Sequence, residues 1–300
     1  MSSCNLCGAP VDPENSLRWH KDGFRIVRCA SCGLVFRFEP PSYSDLAEIY
    51  APSYFRDDVA TPDKQGYSDY LGDAELHRHN ARRRLRLLER NVERGRLLDV
   101  GAAAGFFVAE ARTRGWDAEG IDVSSEMIAW GRSTLGVPLA TTRLDQLERD
   151  PRAFDAITMW DYIEHAVDPA ADVARCSELL AAGGILALAT GDVDSTLARI
   201  SGPRWHLLTP HHHNYFFSRG TLRRLLTNAG FEVLSMRAAS NSYSLAHLVY
   251  KLQTLATVAA VRRAAAAIRA SPAGSIALPV NLFDIVTVVA RKPVASSRTP

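Results

Sequence analysis

Long apolar runs are missing from this 300-residue sequence. No stretch approaches the roughly 18 to 20 uninterrupted apolar residues that a membrane-spanning helix needs, and Cys4 and Cys7 stand where the apolar core of a secretory signal would lie. We therefore expect a cytoplasmic protein without a transmembrane segment. Net charge is nearly absent too: 35 basic residues against 33 acidic ones leave +2, which gives no global pull toward nucleic acid or anionic membrane. Lysine is scarce, four against 31 arginines, a bias that with the many alanines reflects a G+C-rich coding sequence and carries no functional weight. What is present, 47% apolar and 23% charged residues, excludes a disordered or fibrous chain and suffices for one sizeable domain with a small one appended.

Cysteine is scarce as well, yet four of the five fall within the first 32 residues as Cys4-x-x-Cys7 and Cys29-x-x-Cys32. Two hooks of identical spacing, 21 residues apart, form a pattern suited to tetrahedral zinc. Gly8 and Gly33 follow the second cysteine of each hook and let the chain turn so that backbone amides face the sulfurs. This is the pattern of a zinc ribbon over residues 1–40. Two disulfides are the alternative, which a cytoplasmic setting opposes. Between the hooks, Leu17 to His20 and Phe24 to Arg28 alternate as two short strands. Four thiolates leave zinc no open position, so the metal would be structural, supplying folding free energy that so short a segment lacks. Cys176 stands alone in a helical stretch and reads as a buried filler.

Residues 41–75, rich in Pro, Tyr, Ser and Asp, read as a connector or lid. A core over 76–240 follows, alternating helices and strands: a helix at 76–93, strand Arg96 to Val100, a helix from 105, strand Ala118 to Asp122, a helix at 124–135, strand Ala156 to Met159, a helix at 169–181 and strand Ile185 to Thr190. That rhythm predicts an α/β fold with a doubly wound sheet. A helix at Thr221 to Ala229, strand Phe231 to Met236, a helical insertion at 244–269 and a last strand at Phe283 to Ala290 complete it. The final two strands suggest a hairpin-like edge on a seven-stranded sheet, within a segment 241–300 that also holds the insertion and the tail.

Asp99-Val100-Gly101-Ala102-Ala103-Ala104-Gly105 joins a buried strand to a helix through small residues, which lets a ligand approach the backbone. Asp122 lies 17 residues after Gly105, at the end of the next strand, where a carboxylate takes ribose hydroxyls. An acid before the loop and another closing the second strand favour S-adenosylmethionine over a nicotinamide. Here the chain resembles the class I S-adenosylmethionine-dependent methyltransferases, whose first motif is acidic-x-Gly-x-Gly-x-Gly. Asp99, Gly101 and Gly105 match it, and Ala103 replaces the middle glycine. The resemblance implies that Asp99 serves the methionine amino group, Asp122 the ribose and Met127 the adenine, with Leu144 and Asp145 in the segment where adenine is met. Phe154 to His165, then Asp168-Pro169, look like the fourth motif of the group that includes the ubiquinone-biosynthesis O-methyltransferases. Leu180 to Gly184, Trp205, Pro210, His213, Phe217-Ser218 and Gly230-Phe231 are similar to its later landmarks. A zinc ribbon before such a domain also resembles a subset of bacterial methyltransferases acting on deoxysugars and other secondary or surface metabolites.

Methyl transfer from a sulfonium is an in-line displacement that asks mainly for positioning. A hydroxyl or amine acceptor also needs a base, and His165 follows the strand ending at Trp160, at the carboxyl edge where such sheets bind ligands. Its alternative role is to brace the helix with Glu164. Asp161 would orient a substrate hydroxyl or the cofactor, and Trp160 would line the cofactor pocket. His206 and His211 to His213 do not make a second metal site, because consecutive histidines cannot all face one ion; His213 is the member expected to point inward, on a loop from Trp205 to Phe217 over the acceptor. Tyr67 and Tyr70 read as packing residues or part of a lid.

The arginines from Arg78 to Arg96 suit a rival reading, a zinc-ribbon RNA methyltransferase or nucleic-acid-binding module. Leu85, Leu88 and Val92 at helical spacing favour a solvated amphipathic helix instead, and the expectation is a small-molecule acceptor, a sugar, quinone-like compound or secondary or surface metabolite, methylated at oxygen. Leu245, Leu248, Leu252, Leu255, Val258 and Val261 share a helix face in the insertion; packing on the last strands is favoured over a homodimer surface or a wall for a hydrophobic acceptor.

Overall fold

The computed structural model describes residues 2–50, 52–55, 70–239, 241–245, 267–268, 271 and 276–294. Most of the 244–269 insertion, including its apolar face and any dimer contact, lies outside the described residues, as does Tyr67.

The cysteine segment holds β1 (Ser2–Ser3), β2 (Pro10–Val11), the one-turn α1 (Pro13–Ser16), β3 (Leu17–Lys21), β4 (Phe24–Arg28) and β5 (Val35–Arg37). Short helices α2 (Leu46–Ile49) and α3 (Pro52–Phe55) precede α4 (Ala74–Leu88). The core then runs β6 (Arg96–Val100), α5 (Phe106–Thr113), β7 (Asp117–Asp122), α6 (Ser125–Thr134), β8 (Leu139–Thr141), β9 (Phe154–Trp160), α7 (Pro169–Leu179), β10 (Leu180–Gly191), α8 (Thr196–Ser201), β11 (Tyr215–Phe216), α9 (Arg219–Asn228) and β12 (Glu232–Ala238). A hairpin of β13 (Asn241–Ser244) and β14 (Ala277–Val280) leads to β15 (Ile285–Arg291).

Seven strands form one sheet in the order β12-β15-β10-β9-β6-β7-β8. Strands β6 to β10 are parallel, and β15 runs antiparallel to both β10 and β12. The last strand is thus inserted inside the sheet, and β12 forms the edge. Period-two alternation assigns the two faces. Leu98, Ile157, Leu186, Leu188 and Val288 share a core cluster with Leu179, Leu222 and Leu226 of α7 and α9. Leu97, Ala156, Ile185, Ala187 and Val289 cluster with Leu85, Leu88 and Val108 of α4 and α5. After β8 the chain returns to the other side of β6, so the crevice beyond the carboxyl ends of β6 and β9 is the topological switch point where such folds take ligands.

The first helix of the core ends at Leu88, five residues before the periodicity suggests. Glu89 stops it by gathering Arg94, Arg114 and the Trp116 indole, and the Arg114 guanidinium holds the Glu89 carboxyl down at about 2. Asp168 starts α7 as expected of an Asp-Pro pair, accepting from the Ala171 amide at 2.9 Å. Cys176 is fully buried.

The cysteine segment is not a separate body. β11, from the Trp205–Phe217 loop, adds to β5 and completes a four-stranded sheet β11-β5-β4-β3. Val27, Leu34 and Phe36 join the same core cluster as Ile157 and Leu188. Pattern reading missed β11, since two residues carry no periodicity.

Candidate functional site

A cavity of about 540 Å³ opens at the switch point. Of the residues singled out from sequence, Asp99, Gly101, Ala103, Asp122, Leu144, Asp145, Trp160, Asp161, His165 and His213 line it. Gly105 and Met127 do not. Gly105 sits just behind, as the left-handed N-cap of α5 (φ 80°). Met127 is a correction: the Ser124 hydroxyl that caps α6 accepts from the Met127 amide, and the side chain is fully buried among Ala103, Ala104, Phe106, Phe55 and Tyr70. Val123 faces the cavity from that stretch instead.

The loop after β6 is shaped by positive φ at Gly101 (77°), Ala103 (44°) and Gly105. A Cβ at Gly101 would stand 2.8 Å from the Tyr162 ring. Ala103 takes the left-handed conformation with a methyl group, at a cost of about 1 kcal/mol, and its amide donates to Asp122 Oδ2 at 2.8 Å. The Ser124 amide donates to Asp122 Oδ1 at 2.8 Å. Asp122 therefore ties β7 to the loop, while burial raises its carboxyl above the usual range. Asp99 is buried at the loop's base, accepts from the Thr158 hydroxyl at 2.6 Å, and burial pushes it up to about 7. Asp145 is held by two hydrogen bonds from Arg143.

Strand β9 ends in Trp160 and Asp161, the latter at φ 55°, a strained conformation of the kind that clusters at functional sites. Arg84 explains its direction. That guanidinium donates to Asp161 Oδ2 at 2.6 Å and lies over the Trp160 ring, 4.9 Å from its centroid. Sequence reasoning placed Arg84 on a solvated face; its spacing from His77, Asn80 and Ala81, all lining the cavity, was the available signal.

Two histidines, His165 and His213, line the same cavity as the glycine loop. His165 Nδ1 lies 3.0 Å from the His212 carbonyl and 2.9 Å from the Tyr50 hydroxyl. A carbonyl only accepts, so Nδ1 carries the proton and Nε2 keeps its lone pair. His213 Nδ1 donates to the Leu207 carbonyl at 2.9 Å in the same way. Burial lowers His165 to about 4, with His212 adding to the effect, and burial also holds His213 well below its usual value. Glu164 moves the other way, to about 8, through burial and the nearby Asp161 charge; its Oε2 has no partner among the described residues. One donor atom each of Glu164, His165 and His213 lies within 4.8 Å of the others, a grouping that could take a cation or handle a proton. The run His211 to His213 separates as expected: His211 meets the Phe24 ring, His212 the Tyr54 ring, and His213 the cavity.

Aromatics from the connector close the site. Tyr43, Tyr50, Tyr54 and Tyr70 all line it, and His77 packs against the Tyr70 and Phe106 rings, 4.1 and 5.5 Å between centroids. In the cysteine segment, one donor atom of each of Cys4, Cys7, Cys29 and Cys32 falls within 4.8 Å of the others.

No helix among the described residues is long and apolar enough to cross a membrane. Residues 73–236, more than half of the chain, match a family described as a methyltransferase domain. A ubiquinone biosynthesis O-methyltransferase of Psychrobacter cryohalolentis is 31% identical over 196 residues, covering 53% of this chain and 73% of its own. Another of that name, from Saccharophagus degradans, is 28% identical over 48% of this chain, which spans only 66% of that relative. The crystal structure of a SAM-dependent methyltransferase from Archaeoglobus fulgidus shares the fold, with a TM-score of 0.51 at 15% identity over 84% of this chain and 100% of its own. The chain thus belongs to the methyltransferase-domain family and carries that domain on a Rossmann-like sheet.

Proposed function

We propose that the enzyme methylates a small-molecule acceptor at oxygen or nitrogen, with His165 as the base. The observation that carries this is a half-buried imidazole in the same cavity as the glycine loop, held by the His212 carbonyl in the tautomer that leaves Nε2 unprotonated. S-adenosylmethionine supplies an electrophilic methyl carbon on its sulfonium. Asp122 would hold the ribose hydroxyls, Leu144 and Asp145 would border the adenine, and Asp99 would face the amino group through the loop. Arg84, one of two arginines lining the cavity among the described residues, suits the methionine carboxylate through the guanidinium N–H groups that Asp161 does not take. On the acceptor side, Nε2 of His165 takes the proton, and the Asp161 carboxylate offsets the resulting positive charge.

An RNA acceptor is disfavoured by where the basic charge goes. Arg78 and Arg82 pair with Glu110, Arg84 with Asp161 and Arg94 with Glu89, so these guanidiniums are engaged within the chain. The sugar, quinone-like and secondary-metabolite acceptors of similar enzymes remain within the proposed class. Movement of labelled methyl groups from S-adenosylmethionine into the low-molecular-mass fraction of a cell extract, lost in Asp122→Ala, tests the reading.

Asp122→Ala should weaken cofactor binding by about 1.5 to 3 kcal/mol, since a charged partner to two hydroxyls is lost. Asp122→Asn retains an acceptor for the loop amide and separates ligand contact from bracing. Unchanged affinity by calorimetry in both variants would remove Asp122 from the ribose site.

The raised pKa of Asp99 gives a proton-linked signature. A cationic amino group placed beside Asp99 favours the carboxylate, so binding at pH 6.5 releases protons from a group that burial pushes up to about 7. At pH 8.5 Asp99 is already ionised and nothing is released. The binding enthalpy should therefore vary with buffer ionisation enthalpy at pH 6.5 and not at 8.5, while affinity rises with pH between them. Buffer-independent enthalpy at pH 6.5 contradicts the assignment.

Zinc is the group we assign to Cys4, Cys7, Cys29 and Cys32. The Sγ atoms of Cys4 and Cys32 lie 3.5 Å apart and those of Cys7 and Cys29 3.6 Å, close to the edge of a tetrahedron with zinc–sulfur bonds of about 2.3 Å. Burial pushes the Cys32 thiol up to about 11, so four thiolates need a cation among them. At Cys29 the same burial is outweighed by the amides of Cys32 and Ser31, which bring it to about 7. A reducing cytoplasmic setting would keep the thiols available.

A further inference from the structure

Four consecutive carbonyls after strand β9, those of Glu164, His165, Ala166 and Val167, all accept hydrogen bonds from just two residues, Asn214 and Tyr215. The Asn214 and Tyr215 amides donate to the Glu164 oxygen at 2.8 and 3.1 Å. Asn214 Nδ2 donates to the His165 oxygen at 2.8 Å and to that of Ala166 at 3.2 Å, and the Tyr215 hydroxyl donates to Val167 at 3.1 Å. Tyr215 lies on β11, which pairs with β5 of the cysteine segment: the Arg37 amide donates to the Asn214 oxygen at 2.8 Å, and Phe36 stacks on Tyr215 at 6.2 Å. Strand β5 begins only three residues after Cys32. A second tie runs from the first hook, where Asn5 Nδ2 donates to Asp168 and Asn5 Oδ1 accepts from the Ala170 amide.

We propose that Asn214 is a positioning residue, whose amide hangs the Glu164–Ala166 backbone on the sheet of the cysteine ribbon and thereby aims the ring of His165. The side chain is 2% exposed, and its Oδ1 has no partner among the described residues, so the amide is kept there for its two N–H donors. Nothing shorter spans both carbonyls, and an aspartate would turn an oxygen toward each of them. The glycine loop and Asp122, on β6 and β7, receive none of these bonds. This inference rests on the reading of His165 as the acceptor-side base, but its test does not.

The test uses the full chain with its metal, comparing the parent with Asn214→Asp and Asn214→Ala, the second serving if the buried charge of the first prevents folding. Nitrogen-15 spectra of the His165 ring report tautomer and orientation directly. The parent should show a single Nδ1-protonated form; the variants should show averaged nitrogen shifts, with amide exchange over residues 163–167 faster by about tenfold or more for the lost pair of bonds. Affinity for S-adenosylmethionine should stay within about twofold, which general unfolding would not allow. An unchanged His165 spectrum and unchanged exchange in a folded variant overturn the proposal. Should His165→Ala prove catalytically silent while these signatures still move, the base assignment fails and the positioning role stands.

Discussion

Replacing His165 by alanine should lower the single-turnover rate by about 10² to 10⁴-fold, the usual share of a general base, while leaving cofactor affinity nearly unchanged. The ring is fixed through Nδ1 to the His212 carbonyl and the Tyr50 hydroxyl, so what the substitution removes at the acceptor is the Nε2 lone pair. Because burial depresses His165 to about 4, the unprotonated form persists well below pH 6.5, and with S-adenosylmethionine saturating the acid limb of kcat/KM for the acceptor should fall near pH 4 to 5. The variant should recover partly at high pH, as the acceptor deprotonates unaided. A brace would behave otherwise, losing thermal stability and cofactor binding together. A folded variant that loses less than tenfold in rate would take His165 out of the mechanism, and so would an acceptor carbon already activated as an enolate.

Loss of the cysteine-bound metal should have the largest effect on folding. Zinc binding supplies about 10 kcal/mol or more in small metal-dependent domains, which exceeds what a ribbon of this size gains from its own core. Freshly purified, unchelated protein should hold one zinc per chain by elemental analysis. Cys4→Ser, or exhaustive chelation, should unfold β3, β4 and β5 and leave β11 without its sheet. Val27, Leu34 and Phe36 would then be withdrawn from the core cluster they share with Ile157 and Leu188, so a fall in solubility should accompany the loss of metal. Protein that carries no metal and keeps the ribbon folded after chelation would refute the assignment.

The parts of this molecule that announce themselves in sequence are those with a period or a fixed spacing. Leu97 to Val100, Ala156 to Met159 and Ile185 to Thr190 are apolar enough to be buried strands, and the two Cys-x-x-Cys hooks converge as their spacing requires. The loop of Asp99 to Gly105 and the acid at Asp122 line up on neighbouring strands because the βαβ unit leaves few alternatives. Contacts made across long separations were not legible. Arg84 reaches Asp161 over 77 residues, Tyr50 reaches His165 over 115, and Asn214 depends on a two-residue strand. Met127 shows the opposite limit: a matched position in a motif does not fix a side chain's direction when a helix cap turns it into the core.

Transfer of a labelled methyl group is the most direct measurement. Purified protein is incubated with methyl-labelled S-adenosylmethionine and, in parallel, with the low-molecular-mass metabolites and the total RNA of one extract, using Asp122→Ala and His165→Ala as controls. Label should enter one small molecule as an oxygen- or nitrogen-bound methyl group, and both substitutions should suppress it. Label confined to RNA, or bound cofactor with no label moving into either fraction, would contradict the proposed reaction.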